Sequence, residues 1–208
     1  MLMDFIAAIC LLTCLACFAT VNLHNIFKVH KRESGSQPYA EVEHPLNFII
    51  ALAGLGTFVY GFEALLHIFL ALTNNLSMLT IISFQAPHPI LLSMQVVGLA
   101  FTFLGYFLFI WSVIARGKYS VSWKMSKEHK LVTWGPYRYV RHPSYSGYFF
   151  MFFGLFFMWT NLLTLVPLIA IPGYYQVTVR EEELLTARFG EEYKEYQRKT
   201  GRYIPKLR

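Results

Sequence analysis

Charge is scarce in this 208-residue sequence: 14% of its residues are Asp, Glu, Lys or Arg, against 55% hydrophobic and 17% aromatic. One water-soluble core does not use that much apolar material, so an ordinary soluble domain is excluded. Lys and Arg are also missing from particular places. None precedes the first apolar run, and a basic cluster follows it. A cleaved signal peptide has the reverse arrangement, so this run reads as a retained helix. None lies between Thr73 and Pro89. Cysteine is sparse too, and Cys10, Cys14 and Cys17 share one stretch at one-turn spacing. They are too few for a disulfide framework. Thiolates are disfavoured in hydrocarbon, so no metal site is expected and the three read as small residues packing on one helix face.

What is present is apolar sequence in blocks. A hydrocarbon core about 30 Å thick takes about 20 helical residues to cross, and blocks of that order fall near 5–27, 46–72, 90–114, 144–160 and 161–179. This predicts an all-α integral membrane protein of about five transmembrane helices, the last two joined in a tight hairpin at Trp159-Thr160-Asn161. Pro167 and Pro172 fall in the fifth block, where neighbouring helices can satisfy the freed backbone groups. The spans also alternate basic loops with bare ones. Lys28, Lys31 and Arg32 occupy the first loop, Arg116, Lys118, Lys124, Lys127, Lys130, Arg138 and Arg141 the third, and all the others the tail from Arg180 onward. The positive-inside rule then puts the amino terminus outside and the first loop, third loop and carboxyl tail in the cytosol. The net charge of +6 is accounted for by orientation and lipid-headgroup contact, and no nucleic acid partner is expected.

Two cytosolic segments carry the unusual residues. In the third loop Gly135-Pro136 marks a turn, and Pro143 disfavours the α conformation at His142, so a helix restarts just after it. His142, Pro143, Ser144 and Tyr145 then stand at a helix amino end, whose free N–H groups can receive a carboxylate. In the tail, Leu184, Leu185, Phe189, Tyr193 and Tyr196 recur at helical intervals behind the acidic start Glu181-Glu182-Glu183, with Gly190 as a bend. Within the second span Glu63 and His67, four apart, share a helix face. Facing lipid they would be costly, so they are expected to hydrogen-bond each other or line a cavity.

The order HKLVTWGPYRYVRHPSYSG, an apolar hairpin, EEELLTARFGEEYKEY and a closing TGRYIPK resembles the isoprenylcysteine carboxyl methyltransferase family, especially its short prokaryotic members. The likeness covers roughly residues 118–208, and divides the chain into N-terminal helices, 1–117, and a methyltransferase core, 118–208. It implies a cytosolic-side pocket for S-adenosylmethionine between the third loop, the last hairpin and the tail helix. Carried over by position, His129, Lys130, Leu131 and Val132 would line the adenosine, with Tyr137 nearby, while His142, Pro143, Ser144 and Tyr145 hold the methionine part and Glu181 faces the cofactor. The partners would be a lipophilic or lipidated acceptor and the membrane lipids.

The family has an arginine one turn before its first tail glutamate, in contact with the substrate carboxylate. Here that position is Val177, and Arg141 and Arg180 are the candidates to replace it. A carboxylate acceptor needs no general base, being ionised near neutral pH. An amine acceptor, as on a phospholipid, would need one, and Glu182 or Glu181 could serve. A nicotinamide-dependent membrane reductase and a non-catalytic membrane scaffold remain the other readings.

Overall fold

The structure is a computed structural model that describes residues 2–33, 38–41, 48–117, 119, 124–126 and 130–206. Helices dominate it, as the apolar blocks predict. In chain order they are α1 (Leu2–Glu33), α2 (Phe48–Leu72), α3 (His88–Arg116), α4 (Pro143–Met158), α5 (Ala170–Phe189) and α6 (Glu191–Lys199). Leu2–Asn25 of α1 and the whole of α2 and α3 are long and apolar enough to cross a membrane. At 16 residues α4 is shorter, about 24 Å at 1.5 Å per residue. A 3₁₀ turn, Leu163–Ile169, leads into α5. Pro167 sits in that turn and Pro172 in the first turn of α5, where a missing N–H costs no helical hydrogen bond.

Close backbone approach organises the bundle. Gly105 of α3 and Gly147 of α4 face each other so tightly that a Cβ on either would stand 2.7–2.8 Å from the other's carbonyl oxygen. Gly56 of α2 meets Ala170 of α5 in the same way, at 2.7 Å. Small residues thus join α3 to α4 and α2 to α5, the pattern expected where lipid supplies no hydrophobic drive between helices. Between the two pairs lies an aromatic layer, with the Tyr174 ring tilted 4.9 Å from Tyr145 and stacked 5.3 Å from Tyr148. The N-terminal helices and the stretch from 118 onward therefore interlock. Helix α1 adds Ala7, Ala8, Leu11 and Cys14 to the core, while Cys17 is exposed.

Among the described residues the all-helical plan has one addition, an antiparallel ribbon of β1 (Pro38–Glu41) and β2 (Lys124–Ser126), with Ala40 opposite Met125. Its strands belong to the first and third loops, which must therefore share one side of the bundle. The second loop packs at the hairpin corner instead, with Phe84 N–H donating to Thr160 O at 2.8 Å and Leu162 N–H to Ile82 O at 3.0 Å.

The Glu63–His67 pair differs from the expectation. The Nδ1 of His67 donates to the backbone carbonyl of Glu63 at 2.8 Å, not to its carboxyl group. Its Nε2 is then an acceptor and takes a hydrogen bond from Asn161 Nδ2 at 2.9 Å. Asn161 Oδ1 in turn accepts from the N–H of Leu163 and Thr164 at 3.0 and 3.2 Å. This neutral histidine pins the hairpin corner to α2. The Oε2 atom of Glu63 is buried without a hydrogen-bond partner.

Candidate functional site

The site is built where α3, the third loop, α4 and the tail converge. Gly135, at φ +61°, lets the chain turn against the end of α3, and Trp134 Nε1 donates to Ala115 O at 2.8 Å. A 3₁₀ turn over Gly135–Arg138 follows. Pro143 then opens α4, with His142 at its N-cap making no side-chain cap. The tail folds back at Gly190, whose φ of +52° ends α5 and starts α6. Residues after α6 lace onto the third loop: Arg141 N–H donates to Gly201 O at 2.9 Å and His142 N–H to Arg202 O at 3.0 Å. Tyr203 closes the stitch, its carbonyl accepting from Ser146 Oγ and its hydroxyl bonding Thr178 Oγ1.

This convergence buries His142 between two carboxylates. Its Nδ1 lies 3.4 Å from Glu181 Oε2 and its Nε2 lies 3.1 Å from Glu182 Oε1. Burial alone would lower the imidazole pKa, but the two carboxylates outweigh it and raise it above the ordinary value. Glu182 also accepts from Arg141 Nε at 2.8 Å, Arg202 Nη2 at 2.7 Å and Gln197 Nε2 at 3.2 Å. Burial pushes its pKa up, yet His142, Arg202 and Arg141 together hold it well below the usual carboxylate range. Glu181 is bound more lightly, by Tyr145 Oη at 2.7 Å and the Nδ1 side of His142.

Beside Glu181 opens a recess of about 70 Å³. It is lined by Arg116, Tyr119, Leu131, Val132, Tyr137, Arg141, His142, Ser144, Tyr145, Glu181, Leu185, Tyr193 and Tyr196. Two polar atoms on this wall are buried without a hydrogen-bond partner, Arg116 Nε and Tyr193 Oη, and Tyr193 is only 1% exposed. Orphaned groups of this kind in a native fold call for an explanation.

Seven of the cofactor residues expected from sequence, Leu131, Val132, Tyr137, His142, Ser144, Tyr145 and Glu181, line this one recess. Pro143 is buried in the first turn of α4 without lining it, and Lys130 is exposed. His129 lies outside the described residues. Arg141 is on the wall, but its guanidinium is engaged by Glu182 and by the carbonyls of Gln197 and Thr200. Arg180 is not brought to the recess; one residue from Glu181 it points elsewhere around the helix, half exposed and paired with Glu183. Glu182 also stays off the wall, held in its ion cluster. Sequence reasoning missed Arg116, Tyr119, Leu185, Tyr193 and Tyr196 as lining residues. Leu185 had a signal, one turn past Glu181. The two tyrosines read only as the apolar stripe of an amphipathic helix, and Arg116 only as an orientation charge.

Fold and site together define a helical membrane protein with a polar, aromatic-walled recess at one end of the bundle, and residues 93–192 match the phospholipid methyltransferase family. That stretch contains most of α3 and all of α4 and α5. More particularly, the chain is 34% identical over 116 residues to the protein-S-isoprenylcysteine O-methyltransferase of Schizosaccharomyces pombe, covering 53% of this chain and 49% of the relative. It is 32% identical over 120 residues to the enzyme of that name from Tribolium castaneum, covering 52% and 41%. With the Saccharomyces cerevisiae protein it shares 38% over 87 residues, covering 41% and 36%. The likeness to the isoprenylcysteine carboxyl methyltransferase family read from the motifs is thus borne out. The chain spans about half or less of the length of these relatives.

Proposed function

We propose that the protein is an S-adenosylmethionine-dependent membrane methyltransferase acting on a lipophilic acceptor, and that its reaction is carboxyl O-methylation of a prenylcysteine-like substrate. The observation that carries this reading is Glu181, held by Tyr145 and His142 on the wall of an aromatic recess at the amino end of α4. When bound, S-adenosylmethionine supplies a methyl group on a sulfonium cation. The recess fits such a molecule: Glu181 offers an anion and Tyr137, Tyr145, Tyr193 and Tyr196 offer rings that attract cations. Leu131 and Val132 offer apolar surface to a flat base, and the first turn of α4 offers free N–H groups to a carboxylate. The buried, partnerless Tyr193 Oη and Arg116 Nε are polar groups that a polar ligand would satisfy.

The chain's own contribution is then positioning and exclusion of water, because a carboxylate acceptor is already ionised near neutral pH. This agrees with the state of Glu182. A phospholipid amine would require a base to take its proton, and Glu182 is surrounded by Arg141, Arg202 and His142, with its pKa held low. The active site is proposed to face the cytosol, on the side of the basic loops.

The test is methyl transfer from labelled cofactor to prenylcysteine analogues, lipid amines and a native lipid extract. The reading expects label on the prenylcysteine analogue that alkali releases, as it does from an ester. Alkali-stable label on the amines alone would replace it with N-methylation.

A further inference from the structure

We propose that Arg116 is the carboxylate-holding residue of the recess, facing Glu181 across it so that the two read opposite charges on one ligand; this rests on the methyltransferase reading above. Arg116 is the last residue of α3, while Glu181 comes from α5. Both line the recess, yet no ion pair joins Arg116 to Glu181 or to any other described residue. Its Nε is buried and makes no hydrogen bond. The other guanidinium on the wall, Arg141, is spent on Glu182. Tyr137 lines the same recess; burial raises its phenol pKa, with Arg116 opposing that rise and Glu181 adding to it.

A guanidinium N–H left unsatisfied beside a separate anion matches a molecule with a carboxylate near an ammonium. The amino-acid end of S-adenosylmethionine has that pattern, and a carboxylate acceptor would supply the anion alone. Tyr193 Oη, also buried and unpartnered on this wall, can donate to the same ligand.

Calorimetric titration of the full chain in detergent decides it. The probes are S-adenosylhomocysteine, which keeps the amino-acid end, and 5′-methylthioadenosine, which lacks it. Arg116→Gln is expected to weaken S-adenosylhomocysteine by about tenfold to a hundredfold and methylthioadenosine by no more than about twofold. Arg116→Lys, with charge but no fork, falls between. If Arg116→Gln binds S-adenosylhomocysteine normally but raises KM for a prenylcysteine-type acid, the proposal is overturned, because the carboxylate is then the acceptor's and Arg116 and Glu181 do not read one ligand. Equal loss of both nucleosides, or no change in binding and KM, overturns the proposal. In the first case Arg116 only shapes the recess. Wild-type protein that binds neither nucleoside overturns the methyltransferase reading itself, whereas normal wild-type binding with an unaltered variant removes Arg116 alone.

Discussion

Among the described residues glutamate and histidine meet twice, once within α2 and once at the mouth of α4, and the two meetings differ in what faces the ring. In α2, His67 donates to a backbone carbonyl and accepts from Asn161, so it carries one ring hydrogen and stays neutral. At the mouth of α4, each ring nitrogen of His142 faces a carboxylate. Against the effect of burial, these carboxylates raise the imidazole pKa, and Arg141 and Arg202 join the same cluster through Glu182. Inside the bundle, where desolvating a charge costs most, histidine is used as a neutral pin between a helix and a hairpin corner. At the edge, water and partner charges make an ionic cluster affordable. That cluster exhausts Glu182 but leaves Glu181 on the recess wall with a phenol and one imidazole nitrogen as its partners among the described residues. Similar residues give a lock in one place and a lock plus a recess wall in the other.

The largest expected effect falls on the ionic lock. Glu182→Gln leaves Arg141, Arg202 and His142 without their shared anion, and breaking such a buried pair should cost about 3 to 5 kcal/mol. Thermal unfolding in detergent measures it. Stability near wild type would mean that the cluster is held by the backbone stitches alone. Glu181→Gln sharpens the contrast, since it should leave unfolding nearly unchanged while losing about 1.5 to 3 kcal/mol of charge-assisted contact. The readout is KM for the methyl donor, and an unchanged KM would mean that Glu181 only ends the membrane helix.

Asn161→Ala breaks the neutral lock. It should lower stability by about 1 to 2 kcal/mol without altering donor KM, and a changed KM would tie the hairpin corner to the recess. Titration separates the two locks with a smaller signal. The raised pKa of His142 means that its contribution is full below about 6.5, its unfolded value, and is lost as pH rises through the folded value. The depressed pKa of Glu182 means that its contribution is full above about 4.3 and is lost as pH falls toward the folded value. The ionic lock is therefore fully present between about pH 4.3 and 6.5. His142→Gln should abolish its share of the alkaline decline in melting temperature. Persistence of the whole decline in that variant would assign it to another group.

Local chemistry was legible in the sequence, whereas partnerships between distant segments mostly were not. The restart of α4 at Pro143 and the bend at Gly190 each follow from a residue that constrains its own backbone, and the hairpin corner is held by the Asn161 side chain accepting from Leu163 and Thr164 N–H. Helical spacing put Glu63 and His67 on one face but could not reveal that His67 bonds the carbonyl, because its second partner, Asn161, lies 94 residues away. The ribbon between β1 and β2 escaped for the same reason, its strands being short and far apart in the chain. The motif led to Glu181 and the residues around His142, while Arg116 escaped because a basic residue at the end of a membrane helix is ordinarily an orientation signal. Its different character appears only when Nε is seen to be buried on a shared wall.

The claim that the recess beside Glu181 takes the methyl donor is tested most directly by calorimetric titration of the purified full chain with S-adenosylhomocysteine, alongside Glu181→Gln and the exposed tail variant Glu191→Gln. Saturable one-site binding is expected for the wild type, with the same affinity in Glu191→Gln and affinity about tenfold to a hundredfold weaker in Glu181→Gln. Equal affinity in all three proteins, or none in the wild type, would contradict it.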